Sequence, residues 1–244
     1  MSLQWDIQVH GRIHSTQDLI KNIDGGHEGL VVHALQQDAG RGRHGRVWEA
    51  AEGNLYLSFI LKPQCDARLM GQISLLMGVA VHNAAAEFIG EHGQNLMLKW
   101  PNDALLCGRK YAGILMESDM SAAGTVEALY VGVGVNLVDA PLDIAVALDG
   151  FADAPIDVEV FRDALLGQVK ALYTRWLAGN SEAILHEWQE AAHTKNSQMS
   201  VKIGDNVQQG KFSAIDEYGS LILSLDENKF KTITAGEVFL PSAN

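Results

Sequence analysis

The sequence predicts an α/β (α+β) fold followed by a small β-barrel, on three observations. Short apolar strands and amphipathic helices are interleaved as far as residue 192. Over residues 201–240 only short alternating strands remain, broken at Gly204-Asp205, Tyr218-Gly219 and Glu227-Asn228. The chain has 244 residues, enough for one sizeable core and a small second domain. The change of character near Asn196 sets an expected division into residues 1–196 and 197–244, with the boundary between Lys195 and Gln198.

A helix is predicted to start at Ser15. Ser15 and Asp18 have capping-box-like spacing, Leu19, Ile20 and Ile23 form an apolar stripe, and Gly25-Gly26 ends it. Residues 30–37 read as a strand and 54–61 as a second. Between them, residues 38–45 carry Gly40, Gly42 and Gly45 and are expected to be irregular. The longest helix is expected over residues 67–91, where Ile73, Met77, Ala80, Ala84 and Phe88 recur at three- and four-residue spacing. Strands follow at 96–100, 104–107, 110–117 and 125–137, with a tight turn at Cys107-Gly108-Arg109. Helices at 157–177 and 181–192 complete the first domain.

Hydrophobic residues make up 47% and charged residues 20%, as in ordinary globular proteins. No stretch reaches the roughly 18 uninterrupted apolar residues of a membrane helix, and residues 1–12 lack the pattern of a signal peptide. Two cysteines, Cys65 and Cys107, argue against a disulfide framework and make a reducing cytoplasm the default expectation. The net charge of −12 argues against a broad phosphate-backbone surface. Against that background Arg41, Arg43 and Arg46, with His44 among them, point to a small anionic ligand.

Four segments carry chemistry. In Gly40-Arg41-Gly42-Arg43-His44-Gly45-Arg46, glycine lets the backbone approach a ligand and consecutive N–H groups can nest an anion. The arginines add fixed forks for carboxylate or phosphate, and Trp48 adds a flat face for a purine or an apolar cofactor. A flexible basic surface loop is the plainer alternative. Lys99-Trp100-Pro101-Asn102-Asp103 presents a lysine, an amide and a carboxylate together at a strand end, and Asp103 could hold Mg²⁺ beside a triphosphate. An Asn-Asp turn with a surface lysine explains the same residues. In the run from Arg109 to Glu117, Lys110 is expected as a lone cation at a hairpin mouth, suited to charge developing on phosphate, with Gly113 leaving room beside it. A solvated turn lysine is the alternative. Gly132 and Gly134 interrupt an apolar strand ending in Asn136, which suggests close approach of a ligand and an amide able to read an adenine or ribose edge. Sheet packing alone would also account for them.

Taken in order, these four segments resemble the biotin–protein ligase family over residues 13–240. The resemblance implies a mixed-sheet catalytic domain of the biotin/lipoate ligase type and an SH3-like C-terminal barrel. It implies biotin contacts from Ser15, Thr16, Gln17, Gln37, Gly40, Arg41, Gly42, Arg43, Lys110 and Gly113. Arg46, Trp48, Lys99, Asn102, Asp103 and Asn136 fall on the nucleotide side, with Asp103 a metal ligand and Lys110 and Arg43 the catalytic groups. Two positions depart from the commonest family pattern: Gln17 is often Asn, and His44 is often Arg. The implied reaction uses ATP, Mg²⁺ and biotin to form biotinyl-5′-AMP, then acylates one lysine of a biotin carboxyl carrier protein. A lipoate–protein ligase and a catalytically inert biotin-binding module are the alternatives. The Ser15 segment begins too early for a preceding helix-turn-helix, so no specific DNA binding is expected. An open sheet edge could pair with a second copy in a homodimer or with the carrier.

Overall fold

The computed structural model describes residues 3–49, 51–140, 142, 144–226 and 229–240. In chain order the first part contains β1 (Asp6–Ile13), α1 (Thr16–Lys21), β2 (Leu30–Gln37), β3 (Gly40–Arg41), β4 (Val47–Trp48), β5 (Leu55–Leu61), β6 (Cys65–Asp66) and α2 (Met70–Ile89). It continues with β7 (Leu96–Lys99), β8 (Asp103–Leu106), β9 (Arg109–Met120), β10 (Thr125–Val135), α3 (Val158–Leu177) and α4 (Ser181–Ala191). The second part contains β11 (Gln198–Ile203), β12 (Asn206–Ile215), β13 (Leu221–Asp226), β14 (Lys229–Ile233) and β15 (Glu237–Phe239).

An eight-stranded sheet runs β1-β2-β5-β10-β9-β8-β7, with β6 paired to β10. Only β1 and β2 are parallel among these ladders, so the sheet is mixed. The alternation of β10 explains how it serves two faces. Leu129, Val131, Val133 and Val135 are buried in the main core, while Gly132 and Gly134 stand at the alternate positions. In β5, Leu55, Leu57, Phe59 and Leu61 enter the same core. Helices α2, α3 and α4 cover that face with Ile73, Leu76 and Met77, with Phe161 and Leu165, and with Ile184 and Trp188. Each fully buried aliphatic side chain contributes roughly 1.5–3 kcal/mol relative to exposure. The helical run Ala67–Asn95 is long and apolar enough by composition to cross a membrane, and 61% of its most apolar window is buried inside the protein.

The opposite face is covered locally by α1. Ile20 packs with Leu30, Val32 and Ile60 in a separate cluster. A six-residue helix has little stability alone, so its Ser15 cap and this packing hold it. The consequence is functional placement: Ser15, Thr16 and Gln17 are presented at the rim of the glycine-bearing sheet face.

Two features differ from the sequence expectations. Strand β1 was not foreseen; it is an edge strand with a mostly exposed pattern, and its ladder is with β2. Residues 38–45 are partly regular: Gly40 pairs with Trp48 and Arg41 with Val47, closed by a 3-10 turn in which His44 and Gly45 have φ of 57° and 73°. The short hairpin escapes detection because each of its strands has two residues. The C-terminal part agrees with the expected small SH3-like barrel: a five-stranded antiparallel sheet, β14-β13-β12-β11-β15, whose ends do not pair among the described residues. The turn expected at Glu227-Asn228 lies outside the described residues. The turn at Cys107-Gly108 is a two-residue hairpin loop with both φ values positive.

Candidate active site

The site is built on a bare patch of sheet. Gly113 of β9 and Gly134 of β10 are direct cross-strand partners. The indole of Trp48 lies over both: a Cβ at Gly134 would stand 2.5 Å from Trp48 Cε2, and one at Gly113 would stand 2.8 Å from Trp48 Cζ3. Glycine is required here by space. Gly134→Ala is therefore expected to displace the Trp48 ring, lower stability by about 1–3 kcal/mol and shift the intrinsic fluorescence. An alanine variant with unchanged melting temperature and emission would contradict this packing.

Beside the patch lies a half-open cleft, with walls that include Leu57, Ile114 and Val133. Its floor is a hydrogen-bonded network of neutral side chains, anchored at one end on the Glu117 carboxylate. Thr16 N donates to Gln37 Oε1 at 2.7 Å. Ser58 Oγ lies 2.9 Å from Thr16 Oγ1 and 3.0 Å from Gln17 Oε1. Gln17 Nε2 donates to Glu117 Oε2 at 3.0 Å and to the Tyr130 carbonyl at 3.2 Å. Ser15, Thr16, Gln17 and Ser58 are all buried, and such groups persist inside a protein only when partnered.

The cations divide by partner. Arg41 donates to Asp18 Oδ1 at 2.7 Å and to Glu117 Oε1 at 3.1 Å. Arg46 forms a two-pronged pair with Glu237 of β15. Arg43 donates to Asn102 Oδ1 at 2.8 Å and approaches the Gly236 carbonyl at 3.4 Å. Among the described residues it has no carboxylate in ion-pair contact, and burial lowers its pKa from the usual arginine value. It remains protonated, as arginines do. A partly desolvated cation with no carboxylate paired directly to it, and only Asp103 and Glu237 acting from further off, is a natural seat for an anionic ligand. Asn102 is locked for this contact, since its Nδ2 donates to the Ile114 carbonyl at 2.8 Å.

Lys110 is not the lone cation its sequence position suggested. Its Nζ lies 2.6 Å from Asp103 Oδ1 and 5.2 Å from the Trp48 ring centroid. Lys99 Nζ takes the other oxygen of Asp103 at 2.8 Å. Burial pushes the Asp103 carboxyl up, but Lys110 and Lys99 outweigh it and hold it below the ordinary carboxylate range. Both oxygens of Asp103 are engaged by lysines, so serving as the expected ligand of Mg²⁺ beside a triphosphate would require one lysine to release it. Among the described residues no group of three or more His, Cys, Asp or Glu is placed to hold a metal.

Of the ten residues expected on the biotin side, all but Gly40 line the cleft. Of those expected on the nucleotide side, Trp48 and Asn102 line it. Gly40 and Arg46 border the adjoining groove, and Lys99 and Asp103 continue the ion-pair chain that begins at Lys110. Asn136 is 3% exposed and off the cleft wall; its backbone N–H donates to the Tyr111 carbonyl, and its carbonyl accepts from Leu148 N. Ser58, Glu117 and Glu237 were not singled out from the sequence. Ser58 had a signal: a serine hydroxyl in an otherwise apolar and aromatic strand that is buried throughout must have a partner.

Residues 9–136 match the biotin/lipoate A/B protein ligase family, and residues 196–240 match the biotin protein ligase C-terminal domain. The biotin–[acetyl-CoA-carboxylase] ligase of Paracoccus denitrificans is 35% identical over 85% of this chain and 89% of its own length. The bifunctional ligase/repressor of Bacillus subtilis is 32% identical over 85% of this chain and 65% of its own length. Biotin protein ligase from Aquifex aeolicus, solved in complex with biotin and ATP, superposes with a TM-score of 0.81 at 25% identity, covering 96% of this chain and 97% of that one. The chain belongs to the biotin/lipoate A/B protein ligase family. Its C-terminal match and its near full-length alignment with a biotin ligase place it on the biotin–protein ligase branch.

Proposed function

We infer that this chain is an ATP-dependent biotin–protein ligase. It joins biotin to ATP as biotinyl-5′-AMP with loss of pyrophosphate, then transfers biotin to one lysine of a biotin carboxyl carrier protein. The observation that carries this is one cleft holding both a neutral polar floor in apolar walls and, at its mouth, the cations Arg43 and Lys110. The floor suits a fused apolar ring with a urea edge. The mouth suits the first step, in which a carboxylate oxygen attacks the α-phosphorus and pyrophosphate departs. Two anions must approach each other, and Arg43 and Lys110 offset that repulsion while charge develops. In the second step the lysine amine attacks the acyl carbon, loses its proton and expels AMP. The Trp48 face is assigned to the adenylate.

Mg²⁺ enters as the companion ion of ATP, and Asp103 is not offered as its ligand. The carrier is assigned by the chemistry of the second step and by the name of the Paracoccus relative. Edge strand β1 is the surface offered to a second copy or to the carrier. The charge of −12 supports an enzyme without specific DNA affinity, and two free cysteines suit a reducing cytoplasm.

Pyrophosphate exchange with ATP and either biotin or lipoate tests the function. Exchange is expected with biotin. Exchange with lipoate alone would make the protein a lipoate ligase, and binding of biotin without exchange would make it an inert module.

A further inference from the structure

Glu117 receives donors from three directions. Gln17 at the start of α1 gives Nε2 at 3.0 Å, and Lys21 at its end gives Nζ at 3.3 Å. Arg41, on β3 of the loop of residues 40–48, gives Nη2 at 3.1 Å and Nη1 at 3.4 Å. Glu117 stands on β9 at the same alternation as Gly113, so it shares the site face of the sheet. Burial pushes its carboxyl up, but Gln17, Arg41 and Lys21 outweigh that and hold it below the ordinary glutamate range.

We propose that Glu117 is a positioning residue of the ligand site, tying the 40–48 loop through Arg41 to the pocket floor through Gln17. It rests on the ligase function proposed above and extends it to how the site is set. With Nε2 of Gln17 engaged by Glu117 and the Tyr130 carbonyl, its Oε1 is turned toward Ser58 and the bare Gly132, where a Cβ would stand 2.7 Å away. A cyclic urea has both donors and an acceptor, so a flipped Gln17 amide would present the wrong group. Glu117 therefore fixes which atom the ligand meets. It also commits Arg41 to the tether, with Asp18 as second anchor, which leaves Arg43 as the loop cation for substrate.

The test compares Glu117→Gln with Glu117→Leu in the full chain. Glu117→Gln keeps an oxygen for Gln17 but removes the charge that holds Arg41. Glu117→Leu removes both. Hydrogen exchange of the 40–48 amides in the ligand-free protein is expected to quicken about three- to tenfold in both variants, the range of a partly exposed ion pair. The biotin Kd, measured by calorimetry, is expected to rise about tenfold in Glu117→Leu and less than about twofold in Glu117→Gln. Unchanged loop exchange in both variants, or equal losses of biotin affinity, would overturn the proposal. Should Glu117→Leu fail to fold, exchange and Kd in Glu117→Gln decide alone. The exchange arm needs no substrate, so a wild-type protein without biotin affinity would sink the ligase function and leave the tether to be judged on exchange.

Discussion

Lys110→Ala is expected to slow biotinyl-5′-AMP formation by roughly a hundred- to ten-thousand-fold while biotin affinity changes by less than about tenfold. The asymmetry follows from where Lys110 sits. Its Nζ is bound to Asp103 and poised over the Trp48 ring, at the mouth of the cleft rather than in the Thr16–Gln17–Ser58 floor. Charge that develops during attack on the α-phosphate meets it there; the ground-state urea ring does not. Removal has a second cost. Asp103, with its side chain 15% exposed, would keep Lys99 as its remaining counter-charge and present surplus negative charge to an incoming triphosphate. The Michaelis constant for ATP is therefore expected to rise alongside the fall in rate. Calorimetry with biotin, set beside pyrophosphate exchange, separates the terms. Equal losses in binding and exchange would assign Lys110 to ground-state binding alone.

What was legible in the sequence, and what was not, follows from how local each signal is. Gly132 and Gly134 interrupt a valine strand at a period of two, which marks one cleared face before any coordinates are known. The N-cap at Ser15 and the Cys107-Gly108 turn are settled within a few residues, and both formed as read. What was missed involves partners far apart in sequence. Arg46 meets Glu237 at a separation of 191 residues, and Arg43 reaches the carbonyl of Gly236. No periodicity announces such a pair. Lys110 and Asp103 are seven residues apart, yet only the β8–β9 ladder, in which Asp103 faces Gly113, brings the lysine back across its own hairpin. Asn136 was read as a nucleotide contact from its place at a strand end; its backbone bonds to Tyr111 and Leu148, which fasten the strand to the following segment, could not be read there.

Arg43→Gly is expected to uncouple the two steps, releasing biotinyl-5′-AMP while adenylate synthesis stays within about tenfold of the unaltered protein. The arginine joins three parts of the molecule: the loop that carries it, Asn102 beside β8, and the Gly236 carbonyl of the C-terminal part. When the adenylate is bound, the same fork is the loop's uncommitted charge-assisted contact, worth roughly 1.5–3 kcal/mol. A glycine in its place removes that contact. It also enlarges the open ensemble by roughly 0.4–1 kcal/mol, next to His44 and Gly45, which already occupy the left-handed region. Together these make opening about twenty- to several-hundredfold more probable, since each 1.4 kcal/mol is a factor of ten. The loop does not come apart, because Arg41 is held by Asp18 and Glu117, and Arg46 by Glu237. Lys110 stays in place, so attack on the α-phosphate continues. The product then escapes before a carrier arrives and acylates whatever lysines it meets. Incubation with ATP, biotin and serum albumin, followed by a streptavidin blot, reads this directly. Strong albumin labelling is expected from Arg43→Gly and little from the unaltered protein. Continued pyrophosphate release with no rise in albumin labelling would mean that the intermediate is retained by other groups, and that Arg43 serves only to join the loop to Asn102 and Gly236.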